Sequence, residues 1–249
     1  MAIDWPSPNH GPRREGPIDM VVLHYTAMAS AEAALRRLSD PSAEVSAHYL
    51  IARDGRLFAM VPEARRAWHA GVSRWGAVED VNSRSIGIEL DNPAGDPTPP
   101  FAEPLMARLE GLLAEILARH AIPPERVVGH ACIAPGRKQD PGPRFDWRRL
   151  ARQGLAVWLD PAPKVAPGSG EHDPGDPVVF AQALQQLGMA VPAPERAAWS
   201  EAHRAAWQAF APRFLPHRAS LALPDAAAVA HAVRVAAAFP VQDPASSLP

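Results

Sequence analysis

The chain has 249 residues, of which 47% are hydrophobic and 21% are charged, a composition typical of a globular protein with room for one large domain or two modest ones. Its formal net charge of −2 argues against a dedicated nucleic-acid-binding protein, so we expect no nucleic-acid partner. The single cysteine excludes an intramolecular disulfide, and the fold therefore does not depend on an oxidising compartment.

The N-terminal segment carries no recognisable targeting signal. Residues 1–19 lack the basic stretch and apolar run of a secretory signal peptide. No later stretch approaches the roughly 18 uninterrupted apolar residues of a membrane span. We therefore expect a cytoplasmic protein without a membrane span. The alternative is a periplasmic or cell-envelope protein whose N-terminus is mis-assigned or processed.

The first third of the chain predicts a strand, a helix and a hairpin. Residues 18–25 (IDMVVLHY) form a short apolar run rich in Val and Ile, which predicts a buried strand. Residues 29–40 predict a helix with Ser30 as its N-cap. In residues 46–62 two apolar runs flank Arg-Asp-Gly, and Asp-Gly between such runs favours a β-hairpin.

The next elements alternate between strand and helix. Residues 85–92 (SIGIELDN) predict a strand, and residues 103–120 have apolar side chains at helical spacing. Residues 127–130 (VVGH) predict a last short strand, and residues 146–159 a closing helix with Asp146 as its N-cap. Strands interleaved with helices and a hairpin predict an α/β domain with a mixed central β-sheet flanked by helices.

Residues 161–176 separate two regions of different composition. This segment is rich in Pro, Gly and small polar residues with little to bury, which predicts a linker. Residues 1–160 would then form the α/β domain. Residues 177–240 contain three apolar segments of helical character, which predict a small all-α three-helix domain; they are residues 177–189, 200–214 and 224–239.

Two histidines and one aspartate suggest a metal site. His24 and His130 each end a predicted strand, and Asp140 follows on a proline-rich loop. Two neutral imidazoles and a carboxylate are the donor set of an open zinc site in a hydrolase. The spacing matches no short zinc motif, and a lone buried histidine is more often part of a core.

Glu89 and Lys138 are candidates for acid–base and electrostatic roles. Glu89 lies inside an apolar strand, so it either faces solvent or stands over a site, where it could act as a base. Lys138 lies two residues before Asp140. It is either a solvated loop cation or an ammonium directed at a developing oxyanion.

Several longer motifs occur in a characteristic order. They are VVLHYTAM, SAHYLIARDG, AWHAGVS, SIGIELDN and GHACIAPGRKQDPGPRFDW. Together they resemble the zinc-dependent N-acetylmuramoyl-L-alanine amidases, in the superfamily that includes the peptidoglycan recognition proteins. The resemblance runs from about residue 5 to residue 160. The C-terminal stretch AWQAFAPRFLP resembles, more weakly, the small peptidoglycan-binding domain of two-domain members.

The resemblance implies a reaction and assigns roles. The reaction would be hydrolysis of the amide between the lactyl group of N-acetylmuramic acid and L-alanine, in peptidoglycan or in muropeptides. One Zn²⁺ per chain would be held by His24, His130 and Asp140. Glu89 would be the catalytic acid and base, and Lys138 would polarise the carbonyl and stabilise the tetrahedral intermediate.

Other residues in the motifs receive weaker assignments. Trp68, His69 and Asn82 are expected to contact substrate, whereas His48 is expected to be structural or part of the groove wall. Some superfamily members use cysteine as the third ligand, but at the position of Asp140. Cys132 is therefore expected to be a buried residue beside the site.

Two other functions stay open. One is a non-catalytic peptidoglycan-binding protein, which the presence of every ligand disfavours. The other is an amidase acting on a different N-acyl peptide, because the metal site sets the reaction and the groove sets the substrate. The substrate could be intact sacculus or small anhydro-muropeptides, and we expect a monomer.

Overall fold

The computed structural model describes residues 1–14, 16–95, 98–162, 174–193 and 198–241. Most of the predicted linker, residues 161–176, lies outside the described residues. The division into residues 1–160 and 177–240 therefore stays a prediction.

The strands are short and form two sheets. They are β1 (Ile3–Asp4), β2 (His10–Pro12), β3 (Met20–Tyr25), β4 (Tyr49–Ile51), β5 (Leu57–Ala59), β6 (Arg65–Ala67), β7 (Ser85–Leu90) and β8 (Val127–Gly129). The larger sheet has six strands in the order β1-β5-β4-β7-β3-β8. Only β4 and β5 pair antiparallel within it, and they form the hairpin that Asp-Gly predicts. Strands β2 and β6 form a separate antiparallel pair. The predicted mixed sheet is confirmed.

Helices flank the sheet and make up the C-terminal region. They are α1 (Ala31–Ser39), α2 (Val81–Arg84), α3 (Glu103–His120), α4 (His130–Ile133), α5 (Trp147–Ala151), α6 (Pro177–Leu187), α7 (Glu201–Phe214) and α8 (Ala226–Ala238). The predicted caps are confirmed, because Ser30 accepts a hydrogen bond from the Ala33 amide and Asp146 accepts one from the Arg149 amide.

Among the described helices, none combines the length and the apolar character that crossing a membrane requires.

Two predicted boundaries are wrong. The closing helix ends at Ala151 instead of residue 159, because Gly154 adopts a left-handed conformation with φ of 70° that cannot continue an α-helix. The last strand ends at Gly129, so His130 begins α4 instead of ending the strand. The Gly129 position also admits a close approach of the chain, since a Cβ there would lie 2.7 Å from Cδ of Pro141.

The two faces of β3 and β7 are covered differently. The strands pair in parallel and in register, with His24 opposite Glu89. One face presents only apolar side chains to α3; they are Val21, Leu23, Ile86, Ile88 and Leu90. The alternation of a strand places the intervening residues on the opposite face. These are Met20, Val22 and His24 of β3, and Ser85, Gly87 and Glu89 of β7.

The C-terminal helices pack directly against the α/β part. Phe210 and Phe214 of α7 belong to the same buried cluster as Ile133 of α4. Arg213 of α7 is also buried. Its guanidinium donates to the Val127 carbonyl at 3.0 Å and lies 4.3 Å from the ring centroid of Trp147. The helical region therefore supports the segment from which His130 projects.

Candidate active site

A cleft of about 430 Å³ opens at the carboxyl ends of β3, β7 and β8. The carboxyl edge of parallel strands is where loops from neighbouring strands converge. Seven of the eight residues predicted from the sequence line this cleft; they are His24, Trp68, His69, Glu89, His130, Lys138 and Asp140. The fold thus brings together residues that are up to 116 positions apart in the chain.

The predicted metal ligands form a tight triangle. Nδ1 of His24 lies 2.9 Å from Nδ1 of His130 and 3.0 Å from Oδ2 of Asp140, and the latter two atoms are 3.1 Å apart. In a tetrahedral zinc site with bonds of about 2.0–2.1 Å, neighbouring donor atoms lie about 3.3 Å apart. The observed triangle is slightly tighter and has the right size for one small cation.

The hydrogen-bond partner of His130 shows which nitrogen is free to bind a metal. Nε2 of His130 lies 3.1 Å from the carbonyl oxygen of Ala70. A carbonyl can only accept, and this carbonyl is nearer to Nε2 than Nη2 of Arg137 is, at 3.4 Å. A neutral His130 therefore carries its proton on Nε2 and presents the Nδ1 lone pair to the triangle. Burial, together with the neighbouring His130, lowers the pKa of His24 to about 4, although Asp140 opposes this shift. His24 is therefore neutral at pH 7, as a metal ligand must be.

Glu89 faces the cleft from the strand next to His24. Its Oε2 atom is buried and has no hydrogen-bond partner within the described residues. Burial raises the pKa of the Glu89 carboxyl well above its usual value, Asp140 raises it further and Lys138 opposes the shift. A strand-mounted carboxyl with a raised pKa beside a metal-binding triangle has the properties of a general base and acid.

Lys138 and Asp140 lie on one loop that hydrogen bonds hold against two other segments. The Ala131 amide donates to the Asp140 carbonyl at 2.9 Å, and the Arg137 guanidinium donates from Nε to the Val72 carbonyl at 3.0 Å. These contacts join the loop to α4 on one side and to residues 70–72 on the other. Lys138 lines the cleft, so its ammonium can approach a bound carbonyl group.

The three residues predicted to contact substrate lie in different places. Trp68 is partly exposed on the cleft wall. His69 is only 8% exposed and lies behind His24. Asn82 is 5% exposed and is absent from the cleft lining among the described residues, so its position argues against a direct contact. Its Oδ1 atom instead accepts hydrogen bonds from the backbone amides of His69 and Ala70.

His48 and Cys132 lie where a structural role requires. His48 is fully buried and its Nδ1 accepts a hydrogen bond from the Gly87 amide at 2.9 Å. Cys132 is 3% exposed, and its Sγ faces Nη1 of Arg213 at 3.8 Å. Among the described residues, the group able to hold a metal does not include Cys132.

Sequence reasoning missed the residues that support the ligands. Ser85 and Gly87 precede Glu89 at intervals of two, so strand periodicity places all three on one face. That signal was available in the sequence. Ala70, whose carbonyl orients His130, carries no such signal because it acts through its backbone.

Comparison with known proteins shows to which family the chain belongs. The sequence profile described as N-acetylmuramoyl-L-alanine amidase matches residues 14–143. The N-acetylmuramoyl-L-alanine amidase AmiD of Escherichia coli is 38% identical over 187 residues, which cover 69% of this chain and 66% of AmiD. The resemblance to N-acetylmuramoyl-L-alanine amidases noted in the sequence is thereby confirmed. The resemblance of the C-terminal stretch to a peptidoglycan-binding domain stays a prediction.

Solved structures extend the similarity to the helical region. Escherichia coli AmiD, in complex with the substrate anhydro-N-acetylmuramic acid-L-Ala-D-γ-Glu-L-Lys, matches with a TM-score of 0.74 and 34% identity over 88% of this chain and 91% of that chain. Pseudomonas aeruginosa AmpDH3, in complex with anhydromuramic pentapeptide, gives a TM-score of 0.75 and 29% identity over 92% and 94% of the two chains.

The solved structure of a selenomethionine derivative of AmpD covers a smaller share of this chain. It matches with a TM-score of 0.54 and 34% identity, and covers 63% of this chain and 94% of its own. The coverage by AmiD and AmpDH3 is too large for residues 1–160 alone, whereas that by AmpD is not. The fold class is confirmed, and the chain belongs to the N-acetylmuramoyl-L-alanine amidase family.

Proposed function

We propose that the protein hydrolyses the amide bond between the lactyl group of N-acetylmuramic acid and L-alanine in peptidoglycan-derived muropeptides. The observation that carries this proposal is the convergence of the triangle of His24, His130 and Asp140 with Glu89 and Lys138 in one cleft. The similarity to AmiD and AmpDH3, both solved with anhydromuramyl peptides, supports the substrate class.

The cofactor in this proposal is one Zn²⁺ per chain. The donor set of two neutral imidazoles and one carboxylate suits zinc and leaves a position for substrate or water. Zinc held by His24, His130 and Asp140 would supply Lewis acidity toward water and toward the amide carbonyl.

Glu89 and Lys138 perform the steps that the chain itself supplies. Glu89 removes a proton from the attacking water and later delivers it to the amine of the L-alanine leaving group. Because burial raises its pKa, the carboxylate is a stronger base than an exposed glutamate. Lys138 also lines the cleft, where its ammonium stabilises the negative charge that develops on the carbonyl oxygen.

Substrate recognition involves the walls of the cleft. Trp68 offers a partly exposed aromatic surface against which an apolar part of the substrate can pack. His69 and Asn82 were also predicted as substrate contacts, but their burial favours an indirect role in shaping this wall.

The proposal is tested by two measurements on the same preparation. Metal analysis should give one zinc per chain, and mass spectrometry should detect release of the stem peptide from an anhydro-muropeptide. Glu89→Gln is the matched control, since it should retain zinc and lose turnover. A metal-free protein that binds muropeptides without cleaving them would favour the non-catalytic alternative.

The substrate size and the compartment need separate experiments. Parallel assays on intact sacculi and on anhydro-muropeptides will show which is cleaved faster, and binding to sacculi with and without residues 177–240 tests a peptidoglycan-binding role for the helices. Fractionation of cells, with sequencing of the mature N-terminus, tests the expected cytoplasmic location against the envelope. Light scattering tests the expected monomer.

A further inference from the structure

His69 is a buried imidazole that the proposed reaction does not use. Its Nδ1 lies 3.1 Å from Nε2 of His24, the nitrogen of that ligand that faces away from the metal triangle. Its Nε2 lies 3.2 Å from Oγ of Ser85, and the Ser85 hydroxyl in turn contacts the Val81 carbonyl. The four groups therefore form a continuous line from a main-chain carbonyl to a metal ligand.

The position of each proton along this line follows from the carbonyl. The Val81 carbonyl can only accept, so the Ser85 hydroxyl donates its single hydrogen to that carbonyl. Oγ of Ser85 must then accept a hydrogen bond from Nε2–H of His69. A neutral His69 consequently has an unprotonated Nδ1, which accepts from Nε2–H of His24. The Nδ1 lone pair of His24 is thereby left facing His130 and Asp140.

Gly87 makes room for His69. A Cβ at position 87 would lie 2.4 Å from Cγ of His69, which is closer than side-chain atoms pack. Strand β7 therefore holds His69 through Ser85, accommodates its ring over Gly87 and carries Glu89 on the same face. A larger residue at position 87 would displace the ring from both of its hydrogen bonds.

Ala70, the residue after His69, contacts the other histidine ligand, His130. The Ala70 carbonyl accepts from Nε2 of His130 at 3.1 Å. Two consecutive residues thus orient both imidazoles, one through a side chain and one through the backbone. Oδ1 of Asn82 accepts from the amides of His69 and Ala70 at 3.0 and 2.8 Å, so a single side chain fixes the backbone of both.

We propose that His69 is a positioning residue that holds His24 as its Nε2–H tautomer, and that Asn82 anchors the pair His69–Ala70 for both histidine ligands. This inference rests on the proposed function, because it assigns the metal-binding role to His24 and His130. It replaces the predicted role of His69 and Asn82 as substrate contacts. Loss of a partner that orients a metal-bound histidine typically weakens metal binding about 10–100-fold.

The principal experiment measures zinc affinity by competition with a chelator. His69→Leu removes the acceptor and should weaken zinc binding by about 10–100-fold. His69→Gln keeps an amide oxygen for His24 and an amide N–H for Ser85, and should restore most of the affinity. Trp68→Leu, which alters an adjacent cleft residue without a hydrogen bond to a ligand, should bind zinc as the wild type does.

The outcomes separate this inference from the proposed function. If the wild type binds no zinc, the proposed function fails. If the wild type binds zinc and a folded His69→Leu binds it equally tightly, only the inference fails. A raised KM at saturating zinc, with unchanged zinc affinity, would return His69 to a role in substrate contact.

Two further measurements do not depend on the folding of His69→Leu. Nitrogen-15 spectra of the imidazoles in zinc-loaded wild type should show His69 as the Nε2–H tautomer, and an Nδ1–H tautomer of His69 would overturn the inference. Asn82→Asp retains the acceptor oxygen for both backbone amides and should bind zinc more tightly than Asn82→Leu. Equal affinities for these two folded variants would remove the anchoring role of Asn82.

Discussion

The two faces of strands β3 and β7 carry different kinds of side chain. The face toward α3 consists of branched aliphatic side chains that are fully buried. The opposite face carries His24 and Glu89 at its carboxyl end, with Ser85 and Gly87 beside them. One face is apolar throughout, and the other changes from the buried apolar residues Met20 and Val22 to polar groups at its carboxyl end.

This difference shows how a short strand can serve both purposes. Successive side chains point to opposite faces, so the aliphatic contacts with α3 hold rigidly the same backbone from which His24 and Glu89 project. The small residues Ser85 and Gly87 leave the volume that His69 occupies. A rigid support on one side is what a preorganised site on the other side requires.

The largest effect is expected from removal of a ligand on the site face. His24→Ala or Asp140→Ala should reduce zinc affinity by more than about 100-fold, since loss of an orienting partner alone costs about 10–100-fold. Activity should be lost together with zinc. Metal analysis and the amidase assay on the same sample check this, and an active variant without bound metal would contradict it.

Removal of the base on the same face should separate metal binding from turnover. Glu89→Gln should retain one zinc per chain and lower kcat by about 10²–10⁴-fold. The reason is that Glu89 lies beside the triangle without belonging to it. Near-normal kcat in this variant would show that another group transfers the proton.

A cavity on the apolar face should affect stability instead of chemistry. Leu113 of α3 is fully buried against the sheet, so Leu113→Ala should lower the free energy of unfolding by about 2–5 kcal/mol. The folded fraction should keep its zinc stoichiometry. Leu117→Ala, at a partly exposed position of the same helix, is the matched control and should cost less in denaturant unfolding.

The contribution of Glu63 to the stability of the fold should depend on pH. Burial raises the pKa of Glu63, but hydrogen bonds from Arg119 and His120 of α3 and from Tyr49 of β4 outweigh this and lower it to about 2. A lowered pKa stabilises the fold above about pH 4.5 and loses that effect as the pH falls toward 2.

Glu63→Gln isolates this contribution from other titrating groups. At pH 7 the variant should be less stable than the wild type by about 1–3 kcal/mol. The difference should shrink between about pH 4.5 and pH 2, measured by urea unfolding of the metal-free proteins. A difference that does not change with pH would contradict the assignment.

The smallest effect is expected at the cysteine near the site. Cys132 faces Arg213 and the shared core instead of the metal triangle. Cys132→Ser should leave zinc stoichiometry unchanged and cost roughly 1 kcal/mol or more in stability for burying a hydroxyl group. Loss of zinc from this variant would mean that the ligand set is wrong.

Much of the fold could be predicted from local pattern. Helix α3 has the bounds that its apolar spacing predicts, and the Asp-Gly hairpin and two helix caps are as expected. The end of α5 was missed because the amphipathic pattern continues past Gly154, whose left-handed backbone stops the helix. His130 was placed on a strand because VVGH carries no signal for the turn into α4.

The candidate site, like the fold, could be predicted from the sequence only in part. The residue types and motif order identify His24, His130, Asp140, Glu89 and Lys138, which the fold then brings into one cleft. The roles of His69 and Asn82 could not be predicted in the same way. Their motif suggests a groove, whereas their burial and hydrogen bonds direct them to the ligands and the backbone.

The sequence by itself determined the family, the mixed sheet and the set of candidate reacting side chains, because these depend on local periodicity and on residue types that chemistry demands. Only the tertiary structure decided which nitrogen of each histidine faces the triangle with Asp140 and which group contacts the other nitrogen. Those choices depend on hydrogen bonds between Ala70 and His130, and between His69 and His24, which join segments 60 and 45 positions apart. Such contacts produce no periodic pattern in the sequence, since they form where separate loops meet at one edge of a sheet.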